Sequence, residues 1–247
     1  MLYFSLNING RQVVEQWQIF IIIPVLNEEA SIAKVIGDIP KLLEAEIIPV
    51  IVDNGSTDDT PNIVKEMGVV CLHEPVKGYG RACQRGLAHA QSKLIDKAWS
   101  IAVVLDGDYS DYPEDLISIV RPIMSGSQDF VMGSRTMGRA ETGSLGLVQK
   151  WGNQLATRLI KWRYGFSYTD MGPFRALYWP ALEAMKLEDL NFGWNVEMQV
   201  KALKLKLRVN EVPVRYRKRI GKSKISGTVK GVFQAGFIII KSIFKYG

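Results

Sequence analysis

Hydrophobic residues in the first half of the chain follow two alternating patterns. Residues 19–24 (IFIIIP) form an unbroken, largely β-branched apolar run, the pattern of a strand buried on both faces. After Asn27 the apolar positions Ile32, Val35, Ile36, Ile39, Leu42 and Leu43 follow helical spacing, with Pro40 placed to break or kink the segment. The alternation then repeats: strand at 47–52, helix at 57–67 stopped by Gly68, strand at 69–72, helix at 80–90, strand at 101–105, helix at 113–124 and a short strand at 130–132. Strands alternating with helices predict an α/β fold built on a mostly parallel sheet covered on both faces. The second half is less regular. It predicts a helix at 149–163, a glycine-containing loop entering a strand at 170–178, a helix at 196–206, and a strand at 208–216 in which Pro213 marks a sheet edge. The simplest parse is one domain, residues 1–214, followed by a basic loop and an amphipathic helix, residues 215–247.

Composition narrows the class. At 247 residues with 47% apolar and 23% charged, the chain can bury a sizeable core and is not disordered. Thirty-one basic against 25 acidic residues favour anionic partners without saying which. Cys71 and Cys83 make no disulfide framework, and two histidines with no CxxC make a structural zinc site unexpected. No signal peptide is expected from the N-terminal residues. The apolar stretch 231–240 falls far short of the roughly 20 residues that a spanning helix needs. These features suit a protein of the cytosol.

The open-sheet expectation gives the polar residues at strand ends their meaning, because ligands in such sheets bind outside the carboxyl ends of the strands. Asp53 closes the second strand and Asp106 with Asp108 the fourth, so both acidic groups point to one edge. Asp53-Asn-Gly-Ser-Thr-Asp58-Asp59 offers a glycine for close backbone approach and free N–H groups for a phosphate or sugar. Taken alone it reads equally as an Asx turn with Ser56 or Thr57 capping a helix. Asp111, Glu114 and Asp115 fit the acidic start of a helix. Asp106 and Asp108 do not, and paired carboxylates there suit a hard divalent cation that bridges a diphosphate. Lys77-Gly-Tyr-Gly-Arg81 supplies flexible backbone and two cations for a diphosphate, or a solvated turn. The first strand is followed by Val25-Leu26-Asn27-Glu28 with no glycine, which counts against a dinucleotide-binding Rossmann enzyme.

Residues 215–224 (RYRKRIGKSK) are dominated by basic side chains. In residues 228–246, Lys230, Gln234, Lys241 and Lys245 fall within roughly 60° of arc and leave the rest to apolar residues. A basic amphipathic helix of this kind lies at a membrane surface, or packs on the core behind a solvated loop. Nucleic acid is not expected, since interleaved aromatics are lacking beyond Tyr216.

In order along the chain stand IIIPVLNEE, VDNGSTDDT, KGYGRA, LDGDYSDYPEDL, MGSR (132–135), DMGPFRAL, GWNVEM and RYRKRIGKSKIS. Together these stretches resemble the family 2 glycosyltransferases of GT-A fold, and within them the polyprenyl- or dolichyl-phosphate hexose synthase branch, over residues 19–226. The resemblance implies inverting transfer of a hexose from a UDP- or GDP-sugar. By match, Pro24, Asn27, Glu28 and Asp53 hold base and ribose, with Gly55, Ser56, Lys77, Arg81 and Gly107 nearby. Asp106 and Asp108 match the DxD motif that holds Mg²⁺ or Mn²⁺ on the diphosphate. Asp170 matches the position proposed for a base in this branch, and Glu197 the base position of relatives with hydroxyl acceptors. A lipid phosphate acceptor, already largely dianionic at neutral pH, needs cations more than a base, and Arg135, Arg175, Arg219, Lys222 and Lys224 are the candidates to orient it. An internal ion pair is the competing account of Arg175 and Glu197.

Several relatives carry C-terminal membrane spans, which the short amphipathic segment here does not match. Peripheral docking on the cytosolic face, alone or with a membrane protein or a second copy, is the expectation. Two other readings stay open: a glycosyltransferase with a soluble or other lipid acceptor, and a non-catalytic membrane-binding module with a degenerate nucleotide site. A sugar nucleotidyltransferase is disfavoured, because VLNEEAS lacks the glycine- and lysine-rich loop expected after strand one.

Overall fold

A computed structural model describes residues 5–8, 11–14, 16–221, 238 and 240–246. Its strands are β1 (Ser5–Ile8), β2 (Arg11–Val14), β3 (Trp17–Val25), β4 (Ala45–Asp53), β5 (Val70–His73), β6 (Ser100–Val104), β7 (Phe130–Ala140), β8 (Arg175–Tyr178) and β9 (Val209–Tyr216). The helices are α1 (Ile32–Gly37), α2 (Thr60–Glu66), α3 (Tyr79–Gln91), α4 (Leu116–Met124), α5 (Leu147–Tyr164), α6 (Trp179–Met185) and α7 (Trp194–Lys204). Strands β1 and β2 form a separate hairpin. The others make a seven-stranded sheet in the order β5-β4-β3-β6-β8-β7-β9.

The first four strands of this sheet in chain order pair in parallel, as their continuous apolar runs require, and helices cover both faces. Only β8 runs against its neighbours β6 and β7, so the sheet is mostly parallel rather than wholly so. Pro213 sits in β9, which is the edge strand its proline predicted. Two core layers result. Phe20, Ile22, Val50, Val52, Ala102 and Val104 face one side of the sheet, and Ile19, Ile21, Ile23, Ile51, Ile101 and Val103 the other. That alternation is the period-2 geometry of a strand buried on both faces.

Several boundaries differ from the sequence pattern. The first helix stops at Gly37, because Pro40 cannot continue it, and Leu43 is left 95% exposed. β7 extends to Ala140 through the polar stretch GSRTMGRA. There the ladder to β9, offset by a bulge between Ser134 and Arg139, supplies the backbone partners that no hydrophobic pattern announces. The hairpin and α6 had no expectation; Pro180 opens α6 in its first turn.

The register fixes where the site lies. Val25 pairs with Asp53 and Asp53 with His73, while Ile22 pairs with Val104, two residues before Asp106. The carboxyl ends of β3, β4, β5 and β6 therefore end in one row. Helix α3 lies close against this sheet because Gly86 has no side chain: a Cβ there would meet Ile22 Cγ2 at 2.5 Å and Val52 Cγ2 at 3.0 Å.

Gly86→Val is expected to lower stability by about 3 kcal/mol through overpacking. Gly152→Ala, in a helix where a Cβ meets nothing within 4 Å, should raise it by about 0.5–1 kcal/mol. Urea unfolding midpoints measure both.

Candidate active site

Two loops stand at the carboxyl ends of β3 and β4, and several hydrogen bonds tie one to the other. The backbone N–H of Asn27 donates to Ser56 Oγ (2.9 Å), and Thr57 N–H to Asn27 Oδ1 (2.7 Å). Glu28 N–H donates to Thr60 Oγ1 (2.8 Å), and Glu29 N–H to Asp58 Oδ2 (3.1 Å). Asn27 itself takes a left-handed backbone, φ 53°, which asparagine tolerates and which places strain at the site. Asp53 is buried; its Oδ1 accepts the Ser56 N–H (2.9 Å), and its Oδ2 lies 3.1 Å from His73 Nδ1. The Asx turn is real, but the second oxygen reaches a neighbouring strand. A cavity of about 520 Å³ opens beside Asp53, Ser56 and His73. Gly55 has φ 85°, Lys77 is exposed, and the Arg81 N–H is bonded to Leu190 O.

The acidic loop after β6 is packed tightly. Gly107 carries no side chain because a Cβ would lie 2.6 Å from Val25 Cγ1, and its carbonyl accepts the Ser31 hydroxyl at 2.8 Å. Asp106 accepts the Tyr79 hydroxyl at 3.1 Å. Burial, then the charge of Asp108, pushes its pKa up to about 7. Asp108 Oδ1 accepts the Ser110 N–H (2.9 Å), and its Oδ2 meets Arg219 Nη2 at 2.7 Å. The same guanidinium is 3.8 Å from Glu28. Arg217 packs flat over Tyr109, 3.2 Å from ring centre to Cζ, and donates to the carbonyls of Tyr109 (2.6 Å) and Asp111 (3.2 Å). The basic stretch after β9 is thus laid across the acidic loop.

Asp106 and Asp108 suit a divalent cation: Asp106 is half-buried, Asp108 buried, and the charge of Asp108 disfavours ionisation of Asp106. Among the described residues no three acidic, histidine or cysteine side chains group closely enough to enclose an ion. The remaining ligands would come from a diphosphate, the usual arrangement for Mg²⁺.

On the other side of β8, Asp170 is 1% exposed. It receives Arg135 Nε and Nη2 (both 2.7 Å) and the Arg135 and Met171 N–H groups (both 2.8 Å). This fork-to-fork pair outweighs the desolvation of Arg135 and raises its pKa. The pair borders a cavity of about 280 Å³, which Lys150, Gln149 and Asn153 of α5 complete.

Comparison with known proteins places the chain in a family. Residues 20–183 match the family described as Glycosyl transferase family 2. The chain belongs to that family. It is 32% identical over 216 residues to an uncharacterized glycosyltransferase of Mycobacterium tuberculosis, covering 85% of this chain and 91% of that one. It is 30% identical to the UDP-N-acetylglucosamine–dolichyl-phosphate N-acetylglucosaminyltransferase of Methanococcus voltae (80% and 84% covered). To a dolichyl-phosphate hexose transferase of Haloferax volcanii it is 28% identical (91% and 92%). Among solved structures, glucosyl-3-phosphoglycerate synthase from Mycobacterium tuberculosis, in complex with Mn²⁺, UDP and phosphoglyceric acid, superposes with TM-score 0.73. That likeness, at 19% identity over 93% of this chain and 78% of that one, shows the fold.

Within this glycosyltransferase, some expected residues stand elsewhere than the motifs suggested. Arg175, expected to orient an acceptor phosphate, is fully buried. Its guanidinium donates to the carbonyls of Pro173 (3.2 Å), Asn195 (3.0 Å) and Gly172. Glu197, expected at a base position, is equally buried: it accepts the N–H groups of Glu188 (2.8 Å) and Asp189 (2.7 Å) and pairs with Lys201 at 2.7 Å. The competing account, an internal ion pair, thus holds for Glu197 with Lys201, while Arg175 bonds backbone carbonyls instead. Arg219 stands on Asp108, not at the Arg135 cavity. Lys222 and Lys224 lie outside the described residues, as does most of the expected membrane helix. The described part of that segment is helical over 240–245, with Ile243 and Tyr246 buried and the Tyr164 hydroxyl donating to Ile243 O at 3.0 Å. Roles for Tyr79, His73 and Arg217 were not anticipated, although Tyr79 and Arg217 lie within quoted motifs and His73 follows the strand expected at 69–72. No described helix is long and apolar enough to cross a membrane.

Asp111 is the unusual member. It is 1% exposed and neither carboxylate oxygen has a hydrogen-bond partner; burial first, then Asp106 and Asp108, holds its pKa well above the carboxylate range. The folded state therefore holds this proton more tightly than the unfolded chain. Stability is lost as pH rises from the unfolded value near ~3.9 through the raised folded value. Asp111→Asn should remove that slope, so that its urea midpoint exceeds that of the parent at about pH 8 and the advantage shrinks toward about pH 5.

Proposed function

We propose that the enzyme transfers a hexose, glucose or mannose, with inversion from a UDP- or GDP-sugar to polyprenyl or dolichyl phosphate, working as a peripheral protein on the cytosolic face of a membrane. The observation that carries this reading is the spacing of two charge environments on one sheet edge. The half-buried Asp106 and buried Asp108 stand on the donor side, and a cavity bordered by Arg135 stands across β8. The names of the Methanococcus and Haloferax relatives support the acceptor class.

In this reading Asp53 and the loop from Pro24 to Glu28 hold base and ribose, and Lys77 and Arg81 lie by the diphosphate. Mg²⁺ or Mn²⁺, held by Asp106 and Asp108, would offset the charge growing on the departing nucleoside diphosphate. Arg135 and Lys150 orient the acceptor phosphate. One of its oxygens forms the bond to the anomeric carbon from the face opposite the diphosphate, while the anomeric C–O bond breaks and its electron pair leaves with the nucleotide. No proton has to be removed, because the phosphomonoester is largely dianionic at pH 7. Asp170 then acts by fixing Arg135, with its own oxygens already occupied.

Thermal stabilisation by a panel of UDP- and GDP-sugars, with and without Mn²⁺, tests the donor side, since a ligand that binds only the folded state raises apparent stability by mass action. One nucleotide should give a Mn²⁺-dependent shift that Asp108→Ala abolishes; no shift with any nucleotide refutes the reading. Arg219→Gln removes the cation that competes for Asp108 and should tighten Mn²⁺ binding severalfold in a calorimetric titration without donor.

A further inference from the structure

Helix α5 carries an exposed stripe that the chemistry above does not use. Trp151 is 76% exposed, Trp162 74% and Leu155 44%. At 100° per residue, Trp151, Leu155, Arg158 and Trp162 fall within about 60° of arc, opposite the buried Ala156 and Ile160. Every charged residue of the helix is basic: Lys150, Arg158, Lys161 and Arg163, all exposed, with no aspartate or glutamate among its residues. Two tryptophans in water on a helix that also has a complete buried face are not a core feature.

We propose that this face of α5 seats the enzyme on an anionic lipid surface, with Trp151, Leu155 and Trp162 entering the headgroup boundary and the basic side chains on the lipid phosphates. Charge complementarity selects this occupant. A helix with cations alone around an apolar stripe suits an anionic membrane, and tryptophan favours the interface between apolar and wet surroundings. The position agrees. Gln149, Lys150, Asn153, Gln154 and Thr157 on one flank of the same helix line the Arg135–Asp170 cavity. A surface beneath the stripe therefore lies beside that cavity's wall. The use made of the cavity rests on the lipid-phosphate reading; the docking does not. The assignment also differs from the sequence expectation, which gave the membrane contact to residues 228–246.

Sedimentation with vesicles of phosphatidylglycerol and phosphatidylcholine, compared with phosphatidylcholine alone, tests this on the full chain without donor or acceptor. The protein should bind the anionic vesicles, its tryptophan emission should move to the blue, and both effects should be lost in Trp151→Ser/Trp162→Ser. Arg158→Ala and Lys161→Ala should each weaken binding roughly fivefold, and salt should do the same. Both tryptophans are mostly exposed, so the double variant is expected to fold, and circular dichroism checks that. Vesicle binding that persists in the double variant overturns the proposal, as does its absence in the parent. Concentration-dependent dimers that bury these tryptophans, or tryptophan emission already buried before vesicles are added because another part of the chain covers the stripe, also overturn it. Failure to transfer sugar to a polyprenyl phosphate, with vesicle binding intact, counts against the acceptor reading and leaves the docking standing.

Discussion

Three carboxylates within six residues, at the mouth of a strand buried on both faces, are the constraint from which the rest of the active site follows. Asp106, Asp108 and Asp111 repel one another in surroundings that hydrate them poorly, which is why Asp106 holds its proton to about pH 7. The fold answers with donors and cations brought from distant segments: the Tyr79 hydroxyl from α3, Arg219 on Asp108, and Arg217 on the loop carbonyls. The arginines can arrive there because β9 pairs in parallel with β7 at the sheet edge, so that the chain leaving Tyr216 emerges at the same edge as the acidic loop. An isolated bridge between Asp111 and Tyr216, with the Arg217 N–H donating to Ser110 O at 2.8 Å, ties the two segments directly. Sheet topology and site electrostatics are here one problem.

The segments around β8 and α7 show how buried charge can shape a site. Glu197 organises the loop of residues 186–193 through two backbone N–H groups. That loop in turn lies on α3, where Leu190 O accepts the Arg81 N–H at 3.0 Å. Removing one partner of a buried ion pair generally costs about 3–5 kcal/mol. Inactivity of a Glu197 variant would thus report a displaced donor loop as readily as a lost base. Arg175 is a similar case. Burial pulls its pKa down, while nearby Tyr79, Tyr168 and Asp106 pull it up, so it supplies positive charge behind Asp106 from within the sheet. Asp170 differs from both, because the arginine it holds borders a cavity.

The parts legible in the sequence were those governed by backbone periodicity. The apolar runs of β3, β4 and β6 have no other use than a doubly covered sheet, and strand-end placement then assigns Asp53, Asp106 and Asp108 to one edge. What was not legible depended on the direction of a side chain. Nothing in DMGPFRAL distinguishes an arginine aimed at a ligand from one turned onto the carbonyls of Gly172, Pro173 and Asn195. GWNVEM likewise does not say that Glu197 faces its own preceding loop. The long β7 escaped because its outer half is polar and Gly-rich, and its pairing is set by β9, some 75 residues later. The stripe on α5 was open to the same 100° projection that was applied to the C-terminal segment. It escaped notice because Trp151 and Trp162 look like core residues until their exposure is known.

A surface-bound acceptor changes what the protein must recognise. Under the proposed function a polyprenyl chain would remain in the bilayer and only its phosphate would have to rise to the reacting sugar, so affinity for the tail would be replaced by correct height above the lipid plane. One helix can set that height. From Trp151 to Trp162, α5 advances eleven residues, about 16 Å, enough for a platform lying along the interface rather than a single anchoring point. Because its flank is also a wall of the Arg135 cavity, the element that fixes the depth of seating and the element that receives the phosphate cannot move independently. Arg135 is held in turn by Asp170, whose N–H and that of Thr169 are bonded to Glu211 of β9 at 3.0 and 2.8 Å. Arg135 is thus tied to the edge strand whose continuation carries Arg217 and Arg219 over the acidic loop. Under the proposed function both halves of the reaction are thereby referenced to one strand.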